Sequence, residues 1–196
     1  MKTLRLIALA LIVASTTAMA ADWNLDKSHS SVNFSVKHLM VSTVHGEFKE
    51  FDGTASFDAK DLSTLKTSFT AQVASVNTDD TKRDGHLKSP DFFDAEKFPT
   101  LTFVSKSAKQ TAPGKASLTG DLTIRGVTKE VTFDVEGFGE EMTTPWGVIA
   151  VGGTATTTIN RQDFGVSWNK NLDTGGVVAS DNVKIAVELE LNRPAQ

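Results

Sequence analysis

Reactive residue types are most concentrated from Asn77 to Pro99, in the stretch NTDDTKRDGHLKSPDFFDAEKFP. Arg83, Asp84 and His86 stand close together there, and Phe92, Phe93 and Phe98 follow. At helical spacing Arg83 and His86 are i, i+3 and Arg83 and Leu87 are i, i+4, so these three share a face. Asn77 or Thr78 suits the N-cap, and Asp80, three residues after Asn77, completes an imperfect capping box. Asp79 and Asp80 favour the positive end of the helix dipole and Lys88 the negative end. Pro90 then stops the helix. A single charged helix near 78–89 is expected, with an aromatic corner behind it. Structural roles, with Arg83 paired to a carboxylate and His86 capping or packing, weigh as heavily as ligand-facing ones.

The rest of the chain offers little catalytic chemistry. It contains no G-x-S-x-G elbow, no H-E-x-x-H and no phosphate-binding glycine loop. With no cysteine, thiolate nucleophiles, disulfides and thiolate metal sites are excluded. The histidines are His29, His38, His45 and His86. His38 and His45 are close enough in sequence for a loop to bring them together. A metal site needs several ligands to converge with their other ring nitrogens held, and nothing in the spacing demands that. No metal or cofactor is expected.

The first residues read as a leader rather than as part of the fold. Lys2 and Arg5 make a basic start, Leu6 to Val13 is an unbroken apolar run, and Ala18-Met19-Ala20 is a small-x-small cleavage pattern. The run is too short to span a bilayer, and no second apolar stretch could do so. The expectation is a cleaved signal peptide at 1–20, an exported periplasmic protein and one domain at 21–196. Removing Lys2 and Arg5 makes the formal charge of −4 more negative still, which argues against a nucleic-acid partner.

The elements that must position the charged helix are strands. Val32, Phe34 and Val36 alternate with Asn33, Ser35 and Lys37. A short irregular link is expected at Met40 to His45, then a strand-like Gly46 to Asp58 with a turn or bulge at Asp52-Gly53. Leu65 to Val76 alternates through Phe69, Ala71 and Val73. Ala116 to Arg125, with Leu118, Leu122 and Ile124 on one face, and Glu130 to Phe138, with Val131, Phe133 and Val135 on one face, read as a hairpin. Gly152-Gly153 suggests a bend within Val148 to Asn160. Val183 to Leu191 closes the chain with Val183, Ile185, Val187, Leu189 and Leu191 on one face. The fold class is all-β, a sandwich or a closed antiparallel barrel. Periodicity does not separate the two, and it leaves a homodimer open.

Twelve Phe and three Trp stand against no Tyr. For any single Phe a packed core is the better reading. A small closed barrel can nevertheless hold a ligand where side chains do not fill it. Inward Phe, Leu, Ile and Val would then make an apolar tube suited to a hydrocarbon. At about 0.8 kcal/mol per buried methylene, a long chain gains on the order of ten kcal/mol before ordering costs.

One ordered set of residues resembles a known family. It begins with Trp23-Asn24-Leu25-Asp26, His29-Ser30 and Val32-x-Phe34-x-Val36-x-His38-Leu39. Gly46-x-Phe48-x-x-Phe51-x-Gly53 and Arg83-Asp84-x-His86-Leu87-x-Ser89 come next, then Asp91-Phe92-Phe93-Asp94, Phe98-Pro99 and Gly120-x-Leu122-Thr123-Ile124-x-Gly126-Val127-Thr128. Pro145-Trp146-Gly147 and Arg161-x-Asp163-Phe164-Gly165 complete it. The set resembles the YceI-like family of exported polyisoprenoid-binding proteins across 21–196. The resemblance implies a single lipocalin-like β-barrel with a short helix beside its mouth. It also implies binding, without catalysis, of a long isoprenoid or similar lipid, such as a polyprenyl diphosphate or a quinone tail.

Joined to the alternation, this gives candidate ligand-binding residues. Phe34, Val36, Phe69 and Phe103 are expected in the tunnel wall, as are Leu122, Ile124, Phe133 and Val187. Trp146, Phe164 and Trp168 are added on aromatic character. His38, Arg83 and His86 are expected to meet a polar head group, since Arg suits diphosphate oxygens. For Arg83 and Asp84 the competing role is to pin the helix over the barrel. Two rival readings stay open: an enzyme acting on a bound lipid, and a stress-related interaction protein whose barrel is filled by its own side chains.

Overall fold

Period-two alternation of apolar and polar side chains carries one antiparallel sheet round until its ends meet. The computed structural model describes residues 20–173 and 175–195; the expected leader at 1–20 lies, but for Ala20, outside them. The strands are β1 (Ala21–His38), β2 (Ser42–Phe48), β3 (Phe51–Asp58), β4 (Asp61–Gln72) and β5 (Val76–Asn77). After the helix α1 (Thr81–Lys88) come β6 (Thr100–Ala112), β7 (Lys115–Ile124), β8 (Val127–Gly137), β9 (Met142–Thr143), β10 (Val148–Asn160) and β11 (Ala179–Pro194). Short 3₁₀ turns lie at Val73–Ser75 and Arg161–Phe164.

The strand order β11-β10-β8-β7-β6-β4-β3-β1 closes through pairing of β11 with β1, giving an eight-stranded barrel. The expected barrel with one short helix is therefore the fold, and closure removes the exposed edges a sandwich would leave. At the barrel's upper end β1 leaves β3 and pairs with β2 from Asn33 to His38. Strand β5 extends that flap and leads into α1, so the helix lies at this end.

Several local expectations are corrected. The link at Met40 to His45 is mostly strand, because β2 starts at Ser42 and pairs in unbroken register with β1. The turn falls between Phe48 and Phe51, and Gly53 lies inside β3 opposite Phe69. Gly152 and Gly153 stay in the ladder of β10 without a register shift. The helix N-cap is Asp80 rather than Asn77 or Thr78, with its Oδ1 accepting the Arg83 N–H at 3.0 Å. Asp79 adopts φ +60°, which breaks the run from β5 and delays the helix by a few residues.

Apolar packing divides between the two ends. The lower end is plugged by Trp23, Phe57 and Phe138, with Trp23–Phe57 centroids at 5.2 Å and Phe57–Phe138 at 5.9 Å. Trp23 Nε1–H donates to the Phe57 carbonyl at 3.2 Å, so the indole is buried without an orphan donor. The upper end is packed less tightly.

Candidate functional site: an apolar cavity in the upper barrel

A cavity of about 170 Å³ occupies the upper barrel. Phe34 and Val36 reach it from β1, Phe69 from β4, Phe103 from β6, Leu122 and Ile124 from β7, Phe133 from β8 and Val187 from β11. Phe164, in the 3₁₀ turn, joins them. Not expected in the tunnel wall were Leu87, Phe92 and Phe93, which roof the cavity from α1 and the turn after it, and Phe48 from β2. Their signal was visible in the helical offset of Leu87 and in the adjacent Phe92-Phe93. Phe34–Phe48 and Phe48–Phe93 contacts, at 5.6 and 5.9 Å, join wall to roof.

Only Asn33, Thr102 and Arg161 among the lining residues carry polar side chains, and Arg161 is fully engaged. Its Nε–H donates to the Ser180 carbonyl at 3.0 Å. Nη1 donates to the carbonyls of Val166 and Trp168 at 2.6 and 2.9 Å, and Nη2 to Ala179 O at 3.3 Å and Asp181 Oδ1 at 3.2 Å. All five guanidinium donors are used. Burial pushes this group below the usual arginine range, partly offset by Asp181. It staples the 3₁₀ turn to β11, while Gly165, at φ +73°, turns the chain so that Val166 also lines the cavity.

The polar candidates have other partners or lie off the cavity wall. Arg83 turns back on its own helix start, donating from Nε to Thr78 Oγ1 and from Nη2 to Thr78 O, each at 2.7 Å. Thr78 in turn donates from its N–H and hydroxyl to the buried Asp84 Oδ1, at 2.9 and 2.6 Å. The three residues form the pin that fixes α1 over the barrel. His86 lies 2.8 Å from Asp91 Oδ2 through Nε2 and stands edge-on to Phe92 and Trp168, both at 5.0 Å. His38 ends β1 opposite Ala179 and Ser42. Among the described residues no hydrogen bond or ion pair joins His38, Arg83 and His86, and none of the three belongs to the cavity wall. Strand alternation places His38 and His45 on opposite faces of the β1–β2 hairpin, away from a shared metal.

Two aromatic assignments also change. Trp146 is 78% exposed in the turn between β9 and β10 and is absent from the cavity wall. Trp168 packs on the outer side of Phe92, centroids 5.2 Å apart, and is absent from the cavity wall. A tryptophan's type does not reveal which side of a turn it occupies. Sequence reasoning gave no role to Arg125, which bridges the 3₁₀ turn and the end of α1 by donating to Gly165 O and, at 2.7 Å, to Pro90 O.

A polar group on the outer face has a measurable pH signature. The ligand atoms of Asp26, His29 and Glu190 lie within 4.8 Å of one another. Asp26 accepts from Ser28 Oγ at 2.6 Å and lies 2.9 Å from His29 Nδ1. These bonds, Ser28 first, hold its carboxyl down at about 2, while the Asp26 hydrogen bond raises His29 above its ordinary 6.5. The Asp26 contribution to stability is complete above 3.8 and is lost as pH falls toward 2. The His29 contribution is complete below 6.5 and is lost as pH rises through its raised folded value. His29→Ala is therefore expected to lower the melting temperature slightly at pH 5.5 and less at pH 9. An equal deficit at both pH values would refute the assignment. Both groups are solvated enough that the effect is small.

A closed antiparallel barrel with an apolar interior, roofed by one pinned helix, defines a lipocalin-like architecture. The chain belongs to the family of the YceI-like domain, whose family model matches residues 23–191. A UPF0312 protein of Staphylococcus aureus (strain MSSA476) is 42% identical over 171 residues, covering 87% of this chain and 97% of that protein. The crystal structure of the Campylobacter jejuni YCEI protein is 34% identical, covers 88% of this chain and 98% of that one, and superposes with a TM-score of 0.71. A polyisoprenoid binding domain from Saccharophagus degradans shares the fold at 16% identity and a TM-score of 0.61, covering 89% of this chain and 99% of that one. No described helix is long and apolar enough to cross a membrane.

Proposed function

We propose that this protein binds and carries a long isoprenoid or similar lipid chain in the periplasm, exported behind a leader cleaved after Ala20. The observation that carries this reading is a cavity walled by hydrocarbon inside a closed barrel, where the one charged lining group, Arg161, has no free donor. Such a site favours an apolar chain and penalises any buried polar group that it leaves unpaired. The fold shared with a domain named for polyisoprenoid binding supports the same class of ligand.

The wall residues Phe34, Val36, Phe69, Phe103, Leu122, Ile124, Phe133, Phe164 and Val187 recognise the chain. A polyprenyl diphosphate or a quinone would leave its head toward the roof, near His86 and Arg83, with limited direct recognition because those side chains already have partners. Binding without catalysis fits a lining that offers no carboxylate, histidine or lysine.

Native mass spectrometry of the protein isolated from the periplasm without detergent tests this reading, followed by organic extraction of any adduct. The expected result is a stoichiometric adduct of isoprenoid mass. A bare protein that also fails to take up added polyprenyl lipid would overturn the proposal.

A further inference from the structure

Below the upper cavity lies a second, of about 90 Å³, lined by apolar residues including Leu118, Val135, Phe138 and Leu189. Four residues belong to both walls: Phe69, Phe103, Phe133 and Val187. They come from β4, β6, β8 and β11: Phe69 and Phe103 stand opposite each other on the neighbouring strands β4 and β6, while Phe133 and Val187 reach in from farther round the barrel. Phe103 and Phe133 meet edge to face at 5.0 Å.

Two of these rings are seated. Phe69 lies over Gly53 of the neighbouring strand and is stacked on Phe51 at 5.8 Å. Phe103 lies over Gly120, where an added Cβ would stand 2.6 Å from its Cζ. Phe133 and Val187 complete the collar from β8 and β11.

We infer that Phe69, Phe103, Phe133 and Val187 form a collar that divides the barrel into two chambers and gauges the length of the bound chain. The inference rests on the lipid-binding reading above. At about 10–15 Å³ for each water-sized group, the upper chamber holds roughly a dozen or so carbons and the lower one fewer than about ten. A chain of up to about three isoprene units therefore fills the upper chamber. A longer chain must part the collar, and the Phe103–Phe133 contact it breaks offsets what the lower chamber adds.

The test is equilibrium binding of C10, C15, C20 and C25 prenyl alcohols to the full chain, measured by native mass spectrometry titration. For the wild type, affinity is expected to rise at least tenfold from C10 to C15 and to change less than threefold from C15 to C25. Phe133→Ala opens the collar and is expected to gain at least tenfold between C15 and C25, read as the ratio of its own two affinities because Phe133 also lines the upper chamber. Val187→Ala, a smaller truncation that keeps the aromatic contact, is expected to move the profile in the same direction, and it preserves the test if Phe133→Ala fails to fold. Affinity climbing evenly through C25 in the wild type, or one length profile shared by all three proteins, would overturn the collar alone. Absence of binding by every alcohol to every protein would overturn the lipid-binding reading and the collar with it.

Discussion

Arg161→Ala is expected to destabilise the protein by roughly 3–5 kcal/mol, the range for breaking a buried charged hydrogen-bond network. The residue is 6% exposed and donates to four backbone carbonyls and one carboxylate. Alanine removes every donor at once and leaves the carbonyls of Val166, Trp168, Ala179 and Ser180 without this partner. The carbonyl bonds, rather than the ion pair, set the size of the effect. Asp181 is 44% exposed at its side chain, and a pair so open to water is worth about 1 kcal/mol or less. Asp181→Ala should therefore cost far less than Arg161→Ala, and Arg161→Lys should fall between, because one ammonium cannot span four carbonyls. For a chain of this length about 2–4 °C is lost per kcal/mol, so thermal unfolding of Arg161→Ala should come about 10 °C early. A melting point within a degree or two of the wild type would sink the staple assignment. The functional consequence follows from position: Phe164 and Val166 line the cavity from the segment that Arg161 holds, so lipid should also leave the variant faster.

What could be read from the sequence, and what could not, divides along a physical line. Residues whose roles depend on strand parity were legible. Val183 to Leu191 alternates without interruption, and Ile185 and Val187 face the cavity as the pattern requires. In β1 parity alone is insufficient. Asp26 pairs with Glu190 and Ser31 with Glu188, so Lys27 to Ser30 stand against Leu189 alone and the inward face switches from Trp23 and Leu25 to Val32 and Phe34. Roles that depend on backbone partners left no pattern to read. Arg161 is recognisable as part of a motif, but four of its five acceptors are backbone carbonyls of residues whose types are immaterial. Arg83 looked equally suited to a head group and to a structural pin. What separates those roles is the turn at Asp79, which brings Thr78 back beneath the guanidinium.

Gly46→Ala is expected to fold and yet to lose lipid uptake by tenfold or more. Gly46 faces Phe34 across the β1–β2 ladder. A Cβ there would press on the Phe34 ring, with Cε1 at 2.7 Å, and would stand 2.8 Å from Thr78 Cγ2. Both obstacles are side chains, so the strands can keep their register while the ring gives way. Overpacking of this kind costs about 1–3 kcal/mol, which a domain of ordinary stability survives. A Phe34 ring displaced toward the lumen brings six ring carbons, and at about 10–15 Å³ each these fill roughly a third to a half of the upper cavity. Ligand methylenes excluded by the ring are worth about 0.8 kcal/mol apiece, so two of them already account for a tenfold loss. Gly120→Ala makes the contrast: its Cβ meets the Val104 backbone carbonyl as well as Phe103, and the carbonyl cannot move without the strand, so that variant should lose stability first. Gly85 in α1 has open space around its Cα, and Gly85→Ala should add about 1 kcal/mol of helix stability with uptake unchanged. A Gly46→Ala protein that melts near the wild type and still takes up polyprenyl lipid with wild-type affinity would show that Phe34 does not border the occupied space. Weakened uptake with the fold retained places the chain against that ring.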